Sequence, residues 1–306
     1  MITEENKPTF IDLFAGIGGF HLAFHNVGAK CVFASEWDEC ARKTYQANFK
    51  KISPEFFQKS IVCTTLANGK IIESDFAGDI AKVDPNSIPN HDIICGGFPC
   101  QPFSQAGFKK GFGDARGTLF FNIAEIIRIK RPKAFFLENV RGLLAHGNGN
   151  TITVIEQTLR GLGYSFDYKI IKASDFGLPQ HRPRLYMVGF RGRKKPFKFP
   201  EPTGENMTMS DVFDGAKCNK KIGFTLRVGG RGSKIDDRRN WEHYWVDDKV
   251  RRIASKEGKR MQGFPDNFQF PVSEVQAMKQ LGNSVALPAI QAVAEAIVKE
   301  LNNEAV

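Results

Sequence analysis

The sequence predicts an α/β protein built on a doubly wound, mostly parallel sheet, with a second, smaller module. Three observations carry this. Short apolar runs alternate with longer amphipathic ones from residue 9 to about 190. Most of the short runs are nearly continuous in apolar residues, as strands covered on both faces require. Near Arg191 the texture changes to RGRKKPFKFPEPTG and then GGRGSKIDDRRNW, rich in Gly, Pro, Lys and Arg and weak in periodicity. Regular alternation of strand and helix is the pattern of a doubly wound sheet.

Taken in order, TFIDLF (9–14), KCVFAS (30–35), DIIC (92–95), KAFFLE (133–138), YKIIKA (168–173) and RLYMVGF (184–190) read as strands. Between them, Gly117 to Lys130 places Leu119, Phe120, Ile123, Ile126 and Ile127 on one helical face, and 151–162 behaves similarly. At the far end, VALPAIQAVAEAIVKEL (285–301) is an amphipathic helix with a proline near its first turn. It is expected to pack back on the sheet. The large domain is therefore discontinuous, 1–190 plus 278–306, and 191–277 forms the small module and hinge.

The 306 residues are 42% hydrophobic, enough for a full core. Lys and Arg number 43 against 33 Asp and Glu, a formal charge of +10. That excess favours a polyanionic partner, since each neutralised phosphate releases a counterion; a merely basic soluble protein would read the same way. No apolar run is long enough to cross a bilayer, and MITEENKPTFIDLF lacks the basic and apolar regions of a signal peptide. The six cysteines form no C-x-x-C pair, so no metal site is expected, and they read as reduced thiols in a cytoplasm.

Two stretches look chemical. In DLFAGIGGF (12–20), glycines at 16, 18 and 19 follow a strand and precede a helix. Such a turn lets a ligand approach the backbone, though a plain turn reads alike, and the spacing is not G-x-G-x-x-G. The next strand ends in Ser35-Glu36-Trp37: an acid placed to hold a ribose beside a flat face for an adenine, or else a helix-capping acid beside a core Trp. Asp79 is a third candidate contact. Farther on, a buried strand gives way to Pro99-Cys100-Gln101-Pro102 and a glycine-punctuated loop suited to a lid. A thiol at a strand's C-terminal edge is placed for nucleophilic work. In KAFFLENV, Glu138 follows four apolar residues, so partial burial should raise its affinity for protons. Arg182 and Arg184, two apart, offer paired positive charges.

These residues together resemble the bacterial cytosine-5 DNA methyltransferases, and among them the short type II restriction-modification enzymes that act on GCGC-type sites. The matching pieces are DLFAGIGGF, SEWD, GDI, GGFPCQPFS, DARGTLFF, LENV, QHRPR, RMQGFPDNF (260–268) and KQLGNSV (279–285), in the family's order. The resemblance implies the S-adenosylmethionine-dependent methyltransferase fold, with residues 191–277 as target-recognition domain and hinge. It implies a cofactor pocket of Phe14, Ala15, Gly16, Gly18, Gly19, Glu36, Trp37, Asp79, Ile80 and Phe98, completed by Asn283 and Ser284. Cys100 is then the nucleophile and Glu138 the group that holds and protonates N3, with Arg182 and Arg184 assisting. Gln101, Ser104, Arg227, Arg231, Arg238 and Arg239 are expected on the DNA, the last four from a region that could equally contact phosphates alone. Residues 252–265 would help pack the two domains together. The implied partner is double-stranded DNA, reached by base flipping, with a monomeric, cytoplasmic, nucleoid-associated enzyme and a cognate restriction endonuclease alongside. A stretch from Phe49 to Glu73 departs from the family and looks like a surface insertion. Ser255-Lys256 stands where relatives have Thr-Pro, and Thr225-Leu226 keeps the Thr-aliphatic pair of recognition domains.

Three alternatives are weighed. A tRNA cytosine methyltransferase would share the catalytic set but carry a different, compact recognition region. A non-catalytic DNA-binding relative would have lost Cys100 or Glu138. A dinucleotide-dependent dehydrogenase would need G-x-G-x-x-G.

Overall fold

A computed structural model describes residues 7–57, 62–65, 71–74, 76–99, 119–204, 207–229 and 232–303. Cys100, Gln101, Ser104 and Arg231 lie outside the described residues.

The first parallel pair is β1 (Thr9–Leu13) and β2 (Lys30–Ser35), joined by α1 (Gly19–Asn26). After α2 (Glu39–Phe49) comes a small antiparallel hairpin, β3 (Val62–Thr65) and β4 (Ile71–Ser74). The main sheet resumes with β5 (Ile93–Gly97), α3 (Leu119–Lys130), β6 (Ala134–Val140), α4 (Asn150–Gly161), β7 (Asp167–Ile171) and β8 (Arg184–Phe190). Its order is β2-β1-β5-β6-β8-β7. The first four strands run parallel, while β8 is antiparallel to both neighbours. The doubly wound, mostly parallel prediction therefore holds. The reversal at β8 was not visible, because a buried apolar strand reads alike in either direction. β7 is an edge strand with Tyr168, Lys169 and Ile170 exposed.

Both faces of the sheet are apolar because neighbouring strand residues point opposite ways. Phe10, Cys95, Phe136, Tyr186 and Val188 face one layer, shared with α1, α2 and α8 (Leu287–Asn303). Ile11, Leu13, Ile94, Phe135, Leu137 and Met187 face the other, packed by α3 and α4. The C-terminal helix does return to the sheet: α8 packs on α1, and Gln291 accepts from Asn26 at 2.8 Å.

Residues 191–277 carry the short α5 (Met209–Val212), the hairpin β9 (His243–Val246) and β10 (Lys249–Arg252), α6 (Ser255–Gln262) and the start of α7 (Glu274–Asn283). Trp241, Tyr244, Met209 and Leu226 are buried, in an apolar cluster continuous with α8 and one sheet face.

The expectation of a purely superficial insertion at Phe49–Glu73 is corrected. Ser53, Phe56 and Phe57 are buried. Phe56 and Phe57 pack beside Tyr45, and Ser53 Oγ lies 3.1 Å from Nε2 of buried His21. The sequence hid this, since the two phenylalanines show no periodicity. No single helix among the described residues is long and apolar enough to cross a membrane.

Candidate active site

In an open α/β sheet, ligands settle where the strand order reverses, outside the carboxyl ends of the strands. Here that point lies between β1, which leads to β2 on one side, and β5 on the other. Phe14, Glu36 and Phe98 follow the carboxyl ends of β1, β2 and β5 at this edge. β1 runs into a turn whose backbone is strained at one point, with Phe14 at φ 55°. A non-glycine residue pays to sit there, and such strain persists where the surroundings over-determine it. Gly18, at φ 87°, admits the Phe49 ring: a Cβ there would lie 2.2 Å from it. Gly19 admits Val285 from the C-terminal piece, at 2.4 Å, with Ser284 Oγ at 3.6 Å.

Glu36 directly follows β2 and is buried. Its two carboxylate oxygens accept from the backbone N–H groups of Gly16 and Asp38, each at 2.8 Å. Burial pushes its proton affinity up, and those two hydrogen bonds pull it back. The capping reading goes to Asp38 instead, which accepts from Cys40 and Ala41 at the start of α2. Trp37 is no core residue: 79% of it is exposed. A glycine turn, a fixed carboxylate and a bare indole face thus share one edge, an arrangement that fits a nucleoside. Ile80 and Phe98 are buried nearby in one apolar cluster with Leu13. Asp79 caps a short 3-10 turn by accepting from Ala81 at 3.0 Å. Lys279 closes the pocket from α7 by pairing with Asp38 at 3.3 Å, while Thr44 donates to Gln280 at 2.8 Å. Asn283 is exposed and Ser284 buried, at the end of that helix.

The second half of the site is built on β5 and β6. Asn139 Nδ2 donates to the Phe98 carbonyl at 2.8 Å, tying β6 to the segment that leads into Pro99 and Cys100. No role for Asn139 was drawn from the sequence. Glu138 pairs with Gly97 across the strands, and a Cβ at Gly97 would lie 3.0 Å from its Oε2, so the glycine leaves room for the carboxylate. Arg184 Nε donates to Glu138 Oε1 at 3.0 Å, with both side chains largely covered. Burial raises the proton affinity of Glu138, and the Arg184 and Arg182 charges oppose the rise. The predicted direction is borne out.

Arg182 departs from the expected pairing. It lies at φ 30°, is 2% exposed and points away from the strand. Its guanidinium donates to the carbonyls of Leu226 at 3.1 Å, Gly282 at 2.9 Å and Ser284, while its backbone N–H donates to Thr225 Oγ1. Burial pulls its pKa down to about 9, with Arg184 adding to the fall. Arg182 thus clamps residues 225–226 to the Gly282-Asn283-Ser284 turn. Gln180 and Gln262 extend the clamp: Leu226 N–H donates to Gln180 Oε1 at 2.8 Å, and Gln262 Nε2 donates to Leu281 O at 2.7 Å. Gly282 abuts this segment so closely that a Cβ would meet the Arg227 carbonyl at 2.6 Å. The expectation that 252–265 joins the two parts is met by Gln262 and by Gln180 donating to Met261 O at 3.0 Å.

Of the predicted DNA contacts, Arg227 and Arg238 are exposed. Arg239 is exposed too, but its guanidinium is engaged by Asp237, at 2.7 Å for the closest pair. Among the described residues no group of acidic, His or Cys side chains is arranged for a metal ion. The buried thiols Cys31 and Cys95 are pushed well up by burial and so stay protonated.

The model of the C-5 cytosine-specific DNA methylase family matches residues 8–229 and 218–299. The chain is 41% identical to the type II methyltransferase M.NlaX of Neisseria lactamica, over 93% of this chain and 94% of that protein. It is 38% identical to M.HhaI of Haemophilus parahaemolyticus, over 96% and 95%, and 40% identical to M.SsoII of Shigella sonnei, over 98% and 82%. Among solved structures, the Dnmt2 methyltransferase of S. pombe superposes with a TM-score of 0.69 at 17% identity, covering 97% of this chain and 99% of that one, a likeness of fold.

Proposed function

The chain belongs to the C-5 cytosine-specific DNA methylases, and from that premise we propose how its residues divide the work. It is a DNA (cytosine-5-)-methyltransferase of the type II kind. Full-length similarity to bacterial type II enzymes disfavours the tRNA reading, and the dehydrogenase reading falls with the family match.

The methyl donor is S-adenosylmethionine, which supplies an electrophilic methyl group when bound. Phe14 to Gly19 would cradle it, Glu36 would take its ribose hydroxyls, Trp37 would cover its adenine, and Asp79, Ile80, Phe98, Asn283 and Ser284 would complete the walls. The strained, glycine-lined turn and the bare Trp37 face support this assignment.

The substrate is a cytosine swung out of duplex DNA, because carbons 5 and 6 are stacked inside the helix. The Cys100 thiolate adds to carbon 6, and the electrons of the C5–C6 double bond move onto carbon 5. Glu138 hands a proton to N3, which makes carbon 6 more electrophilic. Carbon 5 takes the methyl as the donor's sulfur–methyl bond breaks, leaving S-adenosylhomocysteine; a base then removes the carbon 5 proton and the thiolate leaves. The observation that carries this reading is the buried Glu138–Arg184 pair beside the strand that leads into Cys100. Burial favours the protonated acid, while Arg184 holds the carboxyl in place and steadies its charge after the proton departs.

Residues 191–277 form the target-recognition domain and hinge, with Arg227, Arg231 and Arg238 on the DNA; Gln101 and Ser104 contact it from the catalytic side. The enzyme acts as a cytoplasmic monomer in a bacterium, beside a cognate endonuclease. Bisulfite sequencing of DNA and tRNA from cells expressing the chain tests the function. Methylated cytosines within one short DNA motif are expected. Methylation confined to tRNA contradicts it.

A further inference from the structure

The catalytic pocket occupies the carboxyl edge of the parallel strands. The opposite edge carries a rim of positive charge that this chemistry does not use. Arg131 and Lys133 immediately precede β6, and Arg191 immediately follows β8. Strand pairing brings them together: Arg191 N–H donates to Lys133 O at 2.9 Å, and the Arg191 guanidinium to Arg131 O at 2.6 Å. The chain then runs along the same rim. Arg193 donates to Glu300 and to the Lys195 carbonyl, both near 3 Å, and Phe197 N–H donates to Asp167. Held this way, the segment leaves Lys194, Lys195 and Lys198 exposed.

Three acidic groups here are engaged. Asp92 pairs with Lys133 at 2.9 Å, Glu300 with Arg193, and Asp167 accepts from Phe197. Arg131, Arg191, Lys194, Lys195 and Lys198 enter no ion pair among the described residues. A bland account of Arg131 exists, since cations favour the C-terminus of a helix such as α3. Arg191, Lys194, Lys195 and Lys198 follow a strand and end no helix, so that account does not reach them.

Nor do these charges serve the DNA in the pocket. Five residue steps along β6 separate Lys133 from Glu138, roughly 16 Å at the strand rise. Charges that far apart are largely screened at physiological ionic strength, where the Debye length is about 8 Å.

We propose that this rim is a second DNA-contacting surface, which holds a separate duplex segment through its phosphates without reading sequence. The clustering of fixed and flexible cations, with Asp92 and Glu300 held in ion pairs, matches a polyanion with a regular phosphate repeat. An enzyme that must search long DNA would thereby hold one segment while another occupies the pocket.

The test measures how many 14-base-pair duplexes of random sequence one chain binds at low salt, by analytical ultracentrifugation with labelled DNA. Two per chain are expected for the parent protein. One is expected for the triple variant Lys194→Glu, Lys195→Glu, Lys198→Glu. The corresponding glutamine variant should weaken the second duplex and lower its salt dependence by up to about 3 in log–log slope, near 0.9 per cation removed. A single duplex on the parent protein, or two on the glutamate variant, overturns the proposal. So does a single-stranded RNA that displaces the second duplex at tenfold lower concentration, because the rim would then be an RNA site.

Discussion

Glu138 shows how much of one residue's behaviour follows from its neighbours. Four apolar residues before it foretold burial and a raised proton affinity, and the structure adds Arg184 as its partner. Because the folded chain holds this proton more tightly than the unfolded one, ionisation costs stability as the pH climbs above the ordinary carboxyl value of 4.5. Glu138→Gln is therefore expected to slow methyl transfer by about 10²- to 10⁴-fold. It should unfold at an equal or higher temperature than the parent at pH 8, an advantage that closes toward pH 4.5. Calorimetric melts and single-turnover rates check both halves. His21 was not legible, since one histidine in an amphipathic helix reads as surface. It is buried, with Nδ1 against the Tyr45 hydroxyl and Nε2 on Ser53, and burial holds its pKa down at about 3. The unfolded chain takes up a proton near pH 6.5 that the folded chain refuses. Stability from this group is thus complete above that value and falls with acid at up to about 1.4 kcal/mol per pH unit. Urea unfolding between pH 7 and pH 5 should show His21→Gln less stable at pH 7 but with a shallower decline.

At the scale of elements, the six strands of the main sheet and the helices at 119–130, 150–161 and 287–303 were legible from their apolar runs. The sequence was silent where contacts join distant segments. QHRPR looked like a pair of substrate-facing arginines, yet its first arginine binds three carbonyls from two other segments, and Gly282 is required because the Arg227 carbonyl passes so close. The two arginines should therefore fail differently. A lysine has no planar fork to reach three acceptors. Arg182→Lys is expected to cost about 2–4 kcal/mol in urea unfolding by leaving buried carbonyls unsatisfied. Arg184→Lys, whose partner is one carboxylate, should lower the transfer rate with a much smaller loss of stability. Equal stability losses in the two variants would contradict this division.

For the whole molecule, the strand order set the site before any side chain was considered: the reversal beside β1 places Phe14, Glu36 and Phe98 on one edge. The C-terminal piece then closes that edge through Lys279, Ser284 and Val285. The charge of +10 foretold a polyanionic partner but not where the charge would lie, because residues from β6 and β8 meet only in the folded sheet. The module at 191–277 was legible as a change of texture, whereas its hairpin was not: the strands are four residues each and their turn is Asp247-Asp248. All of this serves one claim, that Cys100 bonds transiently to carbon 6 of an extruded cytosine. The most direct measurement uses duplex DNA synthesised with 5-fluorocytosine, where the carbon 5 fluorine cannot leave as a proton would. With S-adenosylmethionine present, a denaturation-resistant protein–DNA adduct is predicted, and peptide mapping should place it at Cys100. No adduct with the parent protein, or an undiminished adduct with Cys100→Ala, would contradict the account.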